Sequence, residues 1–424
     1  MTVEELAHRR RFVDTIRAEG FLHLDAVEAA LLTVDRSAFA PGRPLSEVYG
    51  SGSVVTETDA DGRGTSAVSA GWLQAVMLEA SGLRPGMRVV EVGSGGYNAS
   101  LLSQVVGAAG EVVSVDISGS VLERARAGMS SQVRPPENVV LLRADAWAPD
   151  VPDPGPIDSL VVTVDVWDLP WALVDRVHEG GTVVVPMRLD GLGVCLGLTK
   201  RGRALVGGIA TAAGFVPATG QGSHAANYVW DRAHATALSS SCSLPLSSDQ
   251  LDDVLSRGRE VVRTGVLVED VAVAELFLWL LSHGGSTALW GTGSGARVDG
   301  FTALSPRGTP AYLAPGRGFA TLAVDKQGGP PFELTVAVYG DAGAEALEMV
   351  RVVREWEAWA ERASGVDVRL RARSDADPSP AAPERTSVGW ARVPDGSFEL
   401  DEGRPGTVVH VGWGPTAVAG AAAD

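Results

Sequence analysis

"EVGSGGYNAS", Glu91 to Ser100, decides how the first half of the chain is read. The apolar run "MRVV" precedes it and "ASLLSQVVG", with helical periodicity, follows it, so the glycines turn a strand into a helix. Outward from this turn the alternation repeats. "EVVSVDI" and "NVVLLRAD" read as strands around a helix over "SVLERARAGMSS". "IDSLVVTVD" and "TVVVPMRL" read as strands around a helix over "PWALVDRVHEGG". Apolar strands separated by helices specify an α/β fold, a doubly wound, Rossmann-like and mostly parallel sheet. "GVCLGLTK" and "ALVGGIAT" close it as an antiparallel pair. Upstream lie helices over 4–19 and 23–36, a glycine- and serine-rich loop over 49–69, and the helix "GWLQAVMLEASG".

Past residue 237 the pattern changes. Helical runs ("SSDQLDDVLSRGREVV", "VAVAELFLWLLSHG", 343–363) mix with short strands such as "STALWGT", "PAYLA", "FATLAVDK" and "FELTVAVYG". Two domains are expected: a catalytic one over 1–237 and a C-terminal α+β one over 238–424. The tail "GSFELDEGRPGTVVHVGWG" reads as a hairpin.

The 424 residues carry a formal net charge of −17 and no basic run, which argues against nucleic acid as a partner. No apolar stretch reaches the roughly 18 residues of a membrane span, and "MTVEELAHRRRF" has no secretory h-region. The two cysteines, Cys195 and Cys242, supply neither a disulfide framework nor a zinc site. A cytoplasmic protein without a metal is expected.

A dinucleotide turn needs G-x-G-x-x-G, its third glycine letting helix and strand pack closely around a pyrophosphate. Here Gly93 and Gly95 fill the first two positions, and Asn98 stands at the third. Glu91 is expected to point its carboxylate into the site, where it repels a pyrophosphate and attracts an ammonium. Asp116 ends the second strand, where it can accept from both ribose hydroxyls; Asp145 follows the third and can accept from an adenine amino group or cap a helix. Carboxylates after three successive strands, at the edge where open sheets bind ligands, point to an adenosyl cofactor with no phosphate and an amino-acid tail. S-adenosyl-L-methionine meets that description. The expected contacts are Glu91, Gly93, Ser94, Gly95, Gly96, Tyr97, Asn98, Asp116, Ile117, Asp145 and Ala146.

With these residues in place, the first 230 or so positions resemble protein-L-isoaspartate (D-aspartate) O-methyltransferases. "LLTVDRSAFAP" is similar to their "V-x-R-x-x-F-V-P", and "TSAVSAGWLQAVMLE" to the "T-I-S-x-P…MLE" segment that carries the active-site serine. "PGMRVVEVGSGGYNASLL" is similar to their cofactor loop, one residue shorter. "EVGSGGYNAS", "VTVDVWDLP", "AGFVPATGQGSH" and the long C-terminal half resemble a branch found with ribosomally made, modified peptides, including lanthipeptide FxLD-system methyltransferases. "FELD" at 398–401 matches the leader motif that names that system, but its flanks read as strands.

The resemblance implies a carboxyl O-methyltransferase with Ser69 as the active-site serine. Gly71 stands where the family has proline, which implies a more mobile segment. A carboxylate is ionised at pH 7 and needs no general base, so alignment is the main task. Ser69 can hold one carboxylate oxygen; its alternative role is to cap the helix that starts near Gly71. The methyl ester is a better leaving group than a carboxylate, so the next backbone nitrogen can close an aspartimide that opens to isoaspartate. The expected substrate is an Asp of a modified precursor peptide, cyclised by a partner cyclase. Thr65, Ser66, Tyr49, Trp167 and His224 are candidate substrate contacts. The C-terminal half is expected to recognise peptide or form a homodimer. Two other functions stand beside this one: isoaspartate repair of damaged proteins, and a non-catalytic adenosine-binding scaffold.

Overall fold

The computed structural model describes residues 3–60, 62, 64–225, 227–231, 233–240, 243–268, 273–292, 308–325, 330–361, 366–372, 390–392, 398–400 and 407–413. The chain divides into two compact units, Met1–Met187 with Gly193–His224, and Arg188–Leu192 with Ala225–Asp424. None of the described helices is long and apolar enough to cross a membrane.

The first unit opens with α1 (Val3–Ala18), α2 (Asp25–Thr33), a 3-10 turn (Arg36–Phe39) and α3 (Leu45–Val48). Then come β1 (Val54–Thr58) and β2 (Gly64–Val68), an antiparallel hairpin in the segment expected to be a loop. The glycines and serines that suggested a loop sit mostly at its ends, while "VVTET" and "TSAV" carry the β-branched residues that pair.

The doubly wound expectation holds downstream. α4 (Gly71–Ala80), β3 (Arg88–Val92), α5 (Tyr97–Val106), β4 (Glu111–Asp116), α6 (Gly119–Ser130), β5 (Val139–Arg143) and β6 (Ile157–Val162) follow in order. After them come a single turn, α7 (Trp171–Val174), and the strands β7 (Val177–Leu189), β8 (Leu192–Arg201) and β9 (Ala204–Ala212). The sheet order is β9-β8-β7-β6-β3-β4-β5. β3 pairs in parallel with both β4 and β6, β4 with β5 and β6 with β7, while β8 and β9 are antiparallel. The chain therefore departs from β3 in both directions, and that switch point opens a crevice at the carboxyl edge.

The helix expected over 170–181 is corrected: only one turn forms, and Val177 already pairs with Ile157 of β6. Gly180 and Gly181 each cost a helix about 1 kcal/mol relative to alanine. Within β7 they sit at a register shift between the Ile157 and Ser159 pairings, where Gly180 takes φ +81°, a left-handed conformation that glycine adopts without strain.

The second unit holds a seven-stranded sheet, β10 (Asn227–Asp231), β11 (Thr236–Ser240), β12 (Arg259–Val268), β13 (Thr287–Thr292), β14 (Thr309–Ala314), β15 (Gly318–Asp325) and β16 (Phe332–Gly340), ordered β10-β11-β13-β14-β15-β16-β12. Because β10 and β11 pair into this sheet, the division falls at 224, ahead of residue 237. α8 (Ser248–Ser256) starts on a Ser247–Gln250 capping box, and Gly258, at φ +79°, directly precedes β12, so the helix expected through Val262 ends at Ser256 and its last four residues, Arg259–Val262, are strand. α9 (Val273–His283) follows β12. α10 (Gly343–Ala360) buries Ala346, Met349, Val350 and Val353, a helical stripe. β17 (Asp367–Ala372), β18 (Trp390–Arg392), β19 (Phe398–Leu400) and β20 (Thr407–Gly412) pair antiparallel in the order β18-β19-β20-β17, so Phe398–Leu400 is strand; Asp401 lies outside the described residues.

Candidate active site

The crevice at the carboxyl edge is a cleft with about 890 Å³ of empty space, its open mouth included. Four of the parallel strands contribute residues at or just past their ends: Gly93 to Gly95 after β3, Asp116 to Ser118 at the end of β4, Ala144 to Trp147 after β5, and Thr163 and Val164 after β6. Val216 to Thr219 close one side, and Glu57, Thr65, Ser66 and Ala67 of the β1–β2 hairpin close another.

The turn after β3 is shaped for close approach. Gly93 has φ +93°, and a Cβ there would lie 2.6 Å from Thr163 Oγ1 and 2.9 Å from Val164 Cγ1. Thr163 Oγ1 instead donates to the Gly93 carbonyl at 2.5 Å. Ser94 is fully buried and lines the cleft, yet its Oγ has no hydrogen-bond partner among the described residues. Buried hydroxyls are seldom left so, and a ligand hydrogen bond is one remedy.

Asp116 is fixed by the backbone. Its Oδ2 accepts from Ser94 N and its Oδ1 from Ser118 N, both at 2.8 Å. Burial pushes its carboxyl above the usual range despite those two amides. Each oxygen keeps a further lone pair for a ligand hydroxyl. Ile117, the next residue, exposes an apolar side chain on the same wall. Asp145 lines the cleft with its oxygens held by Trp147 N at 2.9 Å and Gln221 N at 2.8 Å. Ala146 lines it as well. Glu57, absent from the sequence expectation, is tied to Arg124 of α6 at 2.6 Å, and Arg124 also donates to Ser66 Oγ at 2.9 Å. Burial raises the Glu57 carboxyl, but hydrogen bonds from Arg124 and Ser120 and the guanidinium charge bring it below the usual range.

The lining thus holds three carboxylates, Glu57, Asp116 and Asp145, and no Lys, Arg or His among the described residues.

Glu91 is the principal correction. It does not line the cleft: it is 0% exposed beneath the glycine turn. Asn98 Nδ2 donates to its Oε1 at 2.9 Å, and Ser114 Oγ donates to its Oε2. Burial raises its carboxyl to about 7, with the Asp116 charge adding to the rise. Glu91 therefore clamps β3 to β4 and to the first turn of α5. Asn98, at the missing third-glycine position, is the residue that reaches it. Gly96 is also off the cleft: it precedes α5 at φ +84°, where a Cβ would meet Ala125 and Phe39 at 2.8 Å. Tyr97 is 1% exposed, with its ring against Phe39 and the Arg36 guanidinium.

Ser69 lines a narrow hollow that shares Ala67, Gly93, Gly95 and Thr163 with the cleft and includes Tyr97 and Asn98. The capping alternative fails, because Ala70 is the residue before α4 and no side chain caps it. Arg36, from the "VDRSAF" motif, is fully buried and orients this segment: it donates to Val48 O at 2.7 Å, Gln74 Oε1 at 2.9 Å and Val68 O at 3.4 Å.

Gly71 does not loosen the segment. A Cβ there would fall 2.0 Å from Phe12 Cζ, so the glycine makes room for the ring. Gly71→Ala should destabilise the first unit by about 1–3 kcal/mol, read as a lower unfolding midpoint; an unchanged midpoint would show the contact to be slack.

Thr65 and Ser66 line the cleft, but the remaining substrate candidates lie elsewhere. Tyr49 is 8% exposed, packs edge-on to Phe12 and donates to Asp35 Oδ1 at 3.3 Å; it borders a separate cavity. Trp167 and His224 stack on each other at 3.7 Å, away from the cleft lining. Cys195 is buried, and burial pushes its thiol up to about 12. In the second unit Asp231, His234 and Asp252 place ligand-type atoms within 4.8 Å of one another, with Asp231 Oδ1 engaged by the amides of Ala233 and His234.

Residues 7–223 match the family described as Protein-L-isoaspartate(D-aspartate) O-methyltransferase. A protein-L-isoaspartate O-methyltransferase of Thermotoga maritima is 37% identical over 167 residues, 39% of this chain and 51% of that protein. The chain thus spans about half the length of that relative. One of Methylorubrum populi is 31% identical over 197 residues, 46% of this chain and 87% of that protein. A beta-aspartate methyltransferase from Plasmodium falciparum, solved with S-adenosyl-L-homocysteine, aligns at 19% identity and a TM-score of 0.44, over 50% of this chain and 98% of its own.

Proposed function

The chain belongs to the protein-L-isoaspartate(D-aspartate) O-methyltransferase family, and on that premise we propose that it transfers a methyl group from S-adenosyl-L-methionine to an aspartate-derived carboxylate of a peptide. The observation that carries this reading is the cleft lining, three carboxylates and no cationic side chain among the described residues. Such a lining disfavours a diphosphate and favours a ligand with sulfonium and ammonium charges.

The residues fit that ligand. Asp116 would accept from the ribose hydroxyls, Ile117 would offer an apolar surface to the adenine, Asp145 would accept from its amino group, and Ser94 Oγ and the glycine turn would hold the amino-acid tail. Bound there, S-adenosyl-L-methionine supplies a sulfonium methyl, which an ionised carboxylate takes without a general base while sulfur keeps the electron pair of the broken bond. Ser69 holds the other carboxylate oxygen, and Arg36 and Gln74 hold the backbone around Ser69.

Ser69→Ala should therefore lower kcat about 10- to 100-fold, the worth of one hydrogen bond to a charged group, and leave S-adenosylhomocysteine affinity unchanged. Equal losses in both would place Ser69 in the cofactor site instead.

The narrower reading is an Asp of a ribosomally made precursor peptide, cyclised by a partner enzyme, whose ester closes to aspartimide. It is supported by the likeness of "EVGSGGYNAS", "VTVDVWDLP" and "AGFVPATGQGSH" to that branch. Family membership supports repair of isoaspartyl residues equally well. Methyl transfer to a linear isoaspartyl peptide, a linear aspartyl peptide and a cyclised aspartyl peptide separates them. Turnover of the cyclised aspartyl peptide alone is expected, and turnover of the isoaspartyl peptide alone would assign repair.

A further inference from the structure

A second cavity, with about 680 Å³ of empty space when its open mouth is included, lies in the first unit beside α1, and none of its lining belongs to the cofactor cleft. Its apolar lining is largely aromatic, with Phe12, Tyr49 and the half-buried Trp72 beside Ile16. Arg11 stands at the rim, exposed, and forms no ion pair among the described residues. In a chain of net charge −17, a guanidinium left without a carboxylate partner is available to an incoming anion. Glu19, the residue just past the end of α1, borders the same cavity. The rim therefore has a cationic and an anionic end.

Its position ties it to the reaction. α4 begins between two cavities: Gly71 and Trp72 line this one, while Gln74 and Met77 line the one that holds Ser69. Ser69 is two residues from Gly71, at most about 7 Å along the backbone. The Gly71 position without a Cβ, filled by Phe12, brings the aromatic wall up to the start of α4.

We propose that this aromatic cavity is a specificity pocket of the peptide substrate, taking an aromatic side chain two or three residues from the carboxylate to be methylated, with an acidic neighbour at Arg11. This rests on the methyltransferase reading, since it assigns Ser69 to the reacting carboxylate. The aromatic walls supply stacking and apolar burial, and Arg11 makes a charge-assisted pair at the mouth.

The test uses fluorescein-labelled nine-residue peptides with one aspartyl or isoaspartyl residue. Phe or Gly stands two or three positions away, and Glu or Gln beside it. Binding to the full chain is read by anisotropy, with and without S-adenosylhomocysteine. The Phe/Glu peptide should bind about tenfold or more tightly than the Gly/Gln peptide. Arg11→Gln should erase the Glu preference and Trp72→Leu the Phe preference. Thr15→Trp, which fills the cavity from an exposed helix position, should erase both; for all three, S-adenosylhomocysteine affinity should be unchanged. Equal binding of all peptides, no binding, or preferences that survive Thr15→Trp would overturn the proposal. Discrimination that persists in a protein blind to S-adenosylhomocysteine would sustain the pocket and sink the methyltransferase reading alone.

Discussion

Asp116→Ala should weaken S-adenosylhomocysteine binding by 100-fold or more. Two hydrogen bonds from ribose hydroxyls to a carboxylate are lost, each worth about 1.5–3 kcal/mol. The side chain also holds Ser94 N and Ser118 N, at 2.8 Å each, so its removal frees the turn after β3 and the start of α6. Asp116→Asn keeps one acceptor oxygen and should lose less. Calorimetric titration of both variants checks the order. A loss under about fivefold in Asp116→Ala would mean that the ribose lies elsewhere.

The second large effect concerns Glu91, and its sign follows from burial. Its carboxyl is raised from an ordinary 4.5 to about 7 in the folded chain. Between those values the folded state binds more protons than the unfolded one, so the Glu91 contribution to stability is fully present below pH 4.5 and is lost as pH rises through 7. The shift corresponds to about 3 kcal/mol. Glu91→Gln cannot ionise, and its amide can still accept from Asn98 and donate to Ser114. The variant should match the parent near pH 4.5 and exceed it by about that amount above pH 7. Hydrogen exchange at β3 and β4 amides reports this locally. Parallel pH curves for the two proteins would contradict the burial account.

Glu91 also marks where the sequence stops being legible. The turn "EVGSGG" identifies a strand-to-helix junction, and the alternation around it specifies the parallel sheet, because β-branched runs buried on both faces have few other homes. The positions of Gly93, Ser94, Gly95, Asp116, Ile117, Asp145 and Ala146 on one cleft follow from that junction and from strand order. Which way a strand residue faces does not. Glu91 sits opposite Ser114 and Val161 in the parallel register, so whether it reaches the cleft or its own helix is decided by Asn98, seven residues away and on another element. Tyr49 and Trp167 were hidden for the same reason, since an aromatic in a connecting segment can pack on a neighbouring ring, Phe12 or His224 here, as readily as on a ligand.

Glu57 and Arg124 were missed differently. Density of Gly, Ser and Asp around residues 49–69 reads as loop, yet the hairpin puts Glu57 across from Ser66 and over the cleft, where α6 anchors both through Arg124. The signal was present in "VVTET" and "TSAV", two short β-branched runs joined by "DADGRG", a turn-forming stretch. Arg36 likewise stood in a quoted motif, but only packing shows that its guanidinium reaches the carbonyl just before Ser69.

Calorimetry of the 424-residue chain with S-adenosylhomocysteine and, separately, NAD addresses the acid-lined cleft head on. Saturable uptake of the thioether nucleoside, lost in Asp116→Ala, with no heat from the dinucleotide, is what the cleft predicts. Uptake of NAD with indifference to S-adenosylhomocysteine would contradict it.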